Sequence, residues 1–154
     1  MNPSTNGQRA PWLLIIGLVL GGGLLVFMSW GSLAPEGKPT TESKYLVKLT
    51  TANWQSEVID SDVPVFVDFT AEWCPPCKKF APTVNKLAEH YQGKVKIAKF
   101  DVGNQQFDKI GKLRSQFEIH SIPFILIIKG GQPQVTFVGS KSEADLVKIL
   151  DSLL

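Results

Sequence analysis

Val63-Pro64-Val65-Phe66-Val67-Asp68-Phe69-Thr70-Ala71-Glu72-Trp73-Cys74-Pro75-Pro76-Cys77-Lys78 is the stretch on which the reading of this chain turns. Its first half, Val63 to Phe69, is a nearly continuous apolar, β-branched run, the pattern of a central strand covered on both faces. Asp68 interrupts the run and needs an explanation. The stretch then passes into a helix expected from about Cys74 to Tyr91, with Phe80, Val84, Leu87 and Tyr91 on one face. Pro82 inside that helix predicts a kink.

The cysteines sit where strand becomes helix. Residues i and i+3 share a helical face, so both sulfurs can come within bonding distance without rearrangement of the backbone. The helix N-terminus offers unpaired N–H groups and a positive dipole end, which favour thiolate over thiol. Cys74, nearer the loop, is expected to be the exposed nucleophile, and Cys77, one turn in, the buried partner that resolves a mixed disulfide. Pro75 and Pro76 are tolerated in the first turn but remove donors, leaving the Cys77 N–H as the main one for a Cys74 thiolate. No histidine lies between the cysteines. A moderately lowered thiol pKa follows, and the pair leans towards reductant.

Outward from this stretch, strands alternate with helices. Tyr45 to Leu49 reads as a short strand, and Asn53 or Thr51 can cap a short helix that carries Trp54 and Val58 inward. Val95 to Phe100 is a strand, and Phe107, Ile110, Leu113 and Phe117 form a helical stripe. Phe124 to Ile128 and Val135 to Val138 pair as a hairpin through Gly130-Gly131. Ser140-Lys141-Ser142-Glu143 offers a capping box for a last helix buried through Leu146, Ile149 and Leu150. The fold class is α/β, a central mixed sheet flanked by helices.

The segment Val67 to Lys78 resembles the active-site segment of thioredoxins, and the likeness extends over roughly Tyr45 to Leu154. The resemblance implies a thioredoxin fold and thiol–disulfide exchange on disulfide-containing protein substrates. It matches Trp73 to the residue before the first cysteine, Pro82 to the kink of the active-site helix, and Ile122-Pro123 to a cis-proline loop that docks substrate. It matches Gly139 to the glycine beside the substrate groove, Asp68 to a buried acid that assists proton transfer to the resolving cysteine, and Lys99 to that acid's neighbour. Burial alone would raise the Asp68 pKa and suit it to a proton relay, the other reading being an aspartate that only ends a strand. Departures are Pro75 for the usual glycine, Thr70 for tryptophan, Phe124 for threonine, and a segment Asn104 to Phe117 about five residues longer than in bacterial thioredoxins. They point away from the ordinary cytosolic reductase and towards a membrane electron donor.

Residues 12 to 30 carry no charge. A helix of ~19 residues at ~1.5 Å rise matches the hydrocarbon thickness of a bilayer. Trp12 and Trp30 bracket it, and Arg9 lies on the N-terminal flank. Cleavage after Ser32-Leu33-Ala34 is opposed by Pro35, so a retained single-pass anchor is expected. Lys38, Lys44 and Lys48 weaken the charge contrast, but a short tail with one arginine seldom crosses, which places the domain outside the cytoplasm, periplasmic in a bacterium. Gly17 and Gly21 are read as ordinary span glycines rather than a dimer contact. The organisation is then tail 1–11, anchor 12–30, Gly/Pro/Ser-rich linker 31–44 and thioredoxin-like domain 45–154.

Several classes are excluded. A net charge of +2, from 16 basic and 14 acidic residues, lacks the field that a phosphate backbone demands. Two cysteines and two distant histidines do not make a tetrahedral metal site. His120 is read as a solvated loop residue and His90 as a charge partner at a helix end. No metal, flavin or nucleotide is expected beyond the redox-active pair itself. The competing readings are a net oxidant or isomerase, and a tethered chaperone or assembly module whose cysteines are incidental.

Overall fold

The computed structural model describes residues 42–103 and 111–154. The expected anchor 12–30, the Gly17/Gly21 pair, Phe107 and Ile110 lie outside the described residues. Among those described, no helix is long and apolar enough to cross a membrane.

Five strands form one mixed sheet: β1 Leu46–Leu49, β2 Val65–Thr70, β3 Lys96–Asp101, β4 Phe124–Lys129 and β5 Gln132–Val138, in the order β1-β3-β2-β4-β5. β1 and β2 run parallel to β3, whereas β4 is antiparallel to β2 and β5 to β4. Among the described residues three helices accompany them, α1 Pro75–Tyr91, α2 Gly111–Phe117 and α3 Glu143–Asp151, with one π-helical turn at Gln55–Ile59.

The period-two alternation of β2 divides the core into two layers. Val65, Val67 and Phe69 point to one face, where they meet Trp54 and Val58 of the π-turn region, with Leu113 and Phe117 of α2 packed alongside. Phe66 points to the other, against Phe80, Val84 and Leu87 of α1 and Leu146 and Leu150 of α3. Asp68 shares this second face by strand alternation. On the first face Trp54 sits 6.0 Å, centroid to centroid, from each of Phe69, Phe100 and Phe117, and Phe69 stacks on Phe100 at 5.5 Å. Such aromatic pairs contribute about 0.5–1.5 kcal/mol each beyond their burial.

Three local expectations change. Asn53 does not cap by side chain; its Oδ1 accepts the N–H of Thr50 at 2.6 Å, and its carbonyl accepts the Glu57 N–H at 2.8 Å. The last helix is capped two residues later than the capping box suggested: Ser142 Oγ accepts the Asp145 N–H at 3.2 Å and meets Asp145 Oδ2 at 2.6 Å. The hairpin partner begins at Gln132, so Pro133 falls within β5. It is tolerated because β5 is an edge strand with a register irregularity at Ile127/Ile128. The connecting Gly130 and Gly131 have φ +56° and +72°, the two left-handed positions that a tight hairpin turn requires.

Candidate active site

β2 ends at Thr70 and the chain turns through Ala71 to Trp73, with the Cys74 N–H donating to the Ala71 carbonyl at 3.1 Å. Cys74 is extended (φ −95°, ψ 103°) and caps α1. Pro75 and Pro76 follow without N–H groups, so the donor that reaches the Cys74 sulfur is the Cys77 N–H, at 3.3 Å. This is the arrangement that removal of the two proline donors dictates. The two sulfurs are joined in a disulfide, with the Cα atoms 5.3 Å apart.

Cys74 is not the exposed residue expected from its position near the loop. It is 3% exposed, against 1% for Cys77. Its sulfur is covered by the bond to Cys77 and by the Ile122 carbonyl, whose oxygen lies 3.9 Å from Sγ. In the oxidised pair that sulfur carries no proton, so this is a contact; the free thiol could donate to the same oxygen. The Ile122-Pro123 bond is cis. The Pro123 carbonyl accepts the Gly139 N–H at 2.8 Å, which joins the start of β4 to the end of β5 beside the pair.

Trp73 is 65% exposed and forms a wall of a groove of about 280 Å³, whose other walls include Val102, Ile119 and Ile122. Arg114 and His120 also line it, and the Arg114 Nε–H donates to the Ile119 carbonyl at 3.3 Å. His120, read from sequence as a solvated loop residue, is exposed but belongs to this groove.

The sequence reading missed Gly103. A Cβ there would lie 2.7 Å from Trp73 Nε1 and 2.9 Å from the Ala71 Cβ, so only hydrogen leaves room for the indole. Gly103 donates its N–H to Asp101 Oδ1 at 2.8 Å. Its one signal in the sequence was a glycine shortly after a strand.

Asp68 is buried, 3% exposed, and its Oδ1 has no hydrogen-bond partner. Burial pushes its carboxyl up to about 7, because the anion would lose hydration that nothing replaces. Lys99 is its register neighbour on β3, as the likeness implied. The lysine's ammonium nevertheless goes elsewhere, pairing with Glu42. Lys99 and Asp68 are thus neighbours without forming an ion pair: the exposed Glu42 carboxylate outcompetes a buried carboxyl that favours its neutral form. Among the described residues no three His, Cys, Asp or Glu are grouped to hold a metal ion.

A family model described as "Thioredoxin" matches residues 45–152. The chain is 40% identical over 107 residues to thioredoxin 1 of Nostoc sp., which covers 70% of this chain and 95% of that protein. It is 34% identical over 110 residues to a thioredoxin of Pseudomonas aeruginosa, covering 71% of this chain and 97% of the relative. A thioredoxin of Chlorobaculum thiosulfatiphilum is 41% identical over 102 residues, 66% of this chain and 90% of its own length.

Proposed function

Because the chain belongs to the thioredoxin family, thiol–disulfide oxidoreductases that act on disulfide-containing proteins, we propose that it is a membrane-anchored reductant of protein disulfides outside the cytoplasm. The observation that carries the reading is the Cys74–Cys77 pair at the N-terminus of α1, with the Cys77 N–H directed at the Cys74 sulfur.

The cycle starts from the reduced pair. The Cys74 thiolate attacks one sulfur of a substrate disulfide, forms a mixed disulfide and releases the other substrate sulfur as a thiolate. Asp68, as the base, takes the Cys77 thiol proton, and the Cys77 thiolate attacks the Cys74 sulfur and displaces the substrate sulfur bonded to it as a thiolate. Two electrons have then passed to the substrate, and Cys74 and Cys77 are bonded. A donor dithiol at the membrane restores the pair by the reverse exchange.

This reading puts substrate in the groove walled by Trp73 and Ile122, with its backbone alongside Ile122-Pro123 and Gly139, because the Ile122 carbonyl lies 3.9 Å from the Cys74 sulfur. The reaction uses no metal, flavin or nucleotide. Anchoring rests on the uncharged run 12–30 and its flanking tryptophans.

Insulin disulfide reduction by the purified chain tests the chemistry. Wild type should turn over with dithiothreitol as donor, Cys74→Ser should be inactive, and Cys77→Ser should accumulate mixed disulfides on Cys74. Equal activity of wild type and a Cys74→Ser, Cys77→Ser double variant would end the enzyme reading in favour of a binding module.

A further inference from the structure

One row of the sheet carries an unusual charge pattern. In register across three parallel strands stand Lys48 of β1, Lys99 of β3 and Asp68 of β2, with Ile125 of β4 completing the row. Register partners on adjacent strands share a face, and their Cβ atoms lie about 5 Å apart. Lys99 is thus the one cationic side chain standing next to Asp68 in this row. The helices that cover this face bring apolar groups to it, Phe80 and Val84 from α1 and Leu146 from α3. The α1 lysines nearest in sequence, Lys78 and Lys79, are exposed.

Both lysines of the row are held by one residue from outside the sheet. Glu42 pairs through Oε2 with Lys48, at 2.7 Å, and through Oε1 with Lys99. The segment carrying Glu42 is itself fixed. The Ser43 N–H donates to Asn85 Oδ1 at 3.2 Å, and the Ser43 hydroxyl donates to Glu89 Oε1 at 2.6 Å, both on α1. The last residues of what the sequence reads as a linker are therefore bonded to the domain and aim a carboxylate at the charged row.

We propose that Glu42 is a positioning residue for the proton-transfer machinery: by clamping Lys48 and Lys99 it keeps the Lys99 ammonium off the Asp68 carboxyl. An ammonium delivered to Asp68 would stabilise its anion and weaken it as a base. Glu42 partly offsets the charge of the two lysines and draws the Lys99 ammonium to itself. The protonation of Asp68 is in this way governed by the residue at which the chain enters the domain. Its consequence for turnover rests on the dithiol reading above; its effect on the carboxyl does not.

The test is titration of the Asp68 carboxyl by ¹³C NMR in the oxidised full-length chain in detergent micelles. Wild type, Glu42→Gln and the double variant Glu42→Gln, Lys99→Met are compared. Glu42→Gln should lower the midpoint by about one pH unit or more, and adding Lys99→Met should return it to the wild-type position, a rescue that structural damage cannot produce. An unchanged midpoint in Glu42→Gln overturns the inference, and so does a lowered midpoint that survives removal of Lys99. Insulin reduction by wild type is measured alongside. Activity without the shift refutes this inference alone, whereas the shift without activity refutes only the reductase reading.

Discussion

Two residues near the cysteine pair show how burial and free space become function. Burial raises the Asp68 carboxyl to about 7 in the folded chain, against 3.8 for an ordinary aspartate. Its folded-state pKa is raised, so the neutral form favours folding at low pH. That stability is fully present below the unfolded pKa and is lost as pH rises from about 4 through 7. Asp68→Asn should therefore leave stability nearly unchanged at pH 4 and raise it at pH 8 by about 2–4 kcal/mol. Urea midpoints of the oxidised chain across that range check the slope; a gap independent of pH contradicts it. Gly103 acts through space alone. Gly103→Ala must displace the Trp73 indole, because Ala71 blocks the other side. We expect kcat/KM for insulin reduction to fall about tenfold with the unfolding midpoint little changed, and an unaltered kcat/KM would show that the position of the indole is immaterial.

At the scale of elements, α1 presents the sulfurs at one end and ties the domain together at the other. The Tyr91 hydroxyl donates to Asp151 Oδ1 at 2.9 Å, with the Val147 carbonyl 3.3 Å away, joining the last turn of α1 to α3. Burial and the Asp151 carboxylate both push the phenol further up, so it stays a donor at any physiological pH. α3 in turn depends on its cap: Ser142→Ala should cost about 1 kcal/mol, read from thermal or urea unfolding, with insulin reduction unaffected at temperatures where the chain stays folded. A loss below about 0.3 kcal/mol would show that water replaces the Ser142 hydroxyl. The two-residue error in this cap shows what sequence carries. Leu146 and Leu150 announce the helix through their period, whereas Ser140 and Ser142 are equally good caps until the end of β5 decides between them. The central strand was legible because Val65 to Phe69 had to be buried on both faces. The cysteine pair was legible because its spacing and flanking prolines are local chemistry. Gly103 and the Glu42–Lys99 pair were not, since each depends on elements brought together only by the fold.

For the whole molecule, the two halves of the sequence make different demands on solvent. The domain buries its apolar residues in the two layers about the sheet, and among its described residues only Trp73, Val138 and Leu154 are large hydrophobics left exposed. The proposed reading gives residues 12–30, uncharged over about the hydrocarbon thickness of a bilayer, to the membrane. On that reading the bilayer is the solvent of this segment. The full chain should accordingly stay in the membrane fraction through an alkaline carbonate wash, and a chain lacking residues 12–30 should appear in the soluble fraction with insulin-reductase activity within about twofold of the full chain, as expected if the anchor places the site without contributing to its chemistry. The proposal also places the domain outside the cytoplasm, although lysines on the domain side oppose the one arginine of the short tail. Labelling reduced intact cells with a membrane-impermeant maleimide separates the two arrangements. Modification of Cys74 without lysis places the pair outside the cytoplasm, and modification only after lysis reverses the orientation. The second result would require a cytoplasmic electron donor, although the exchange between Cys74, Cys77 and substrate would be chemically unchanged.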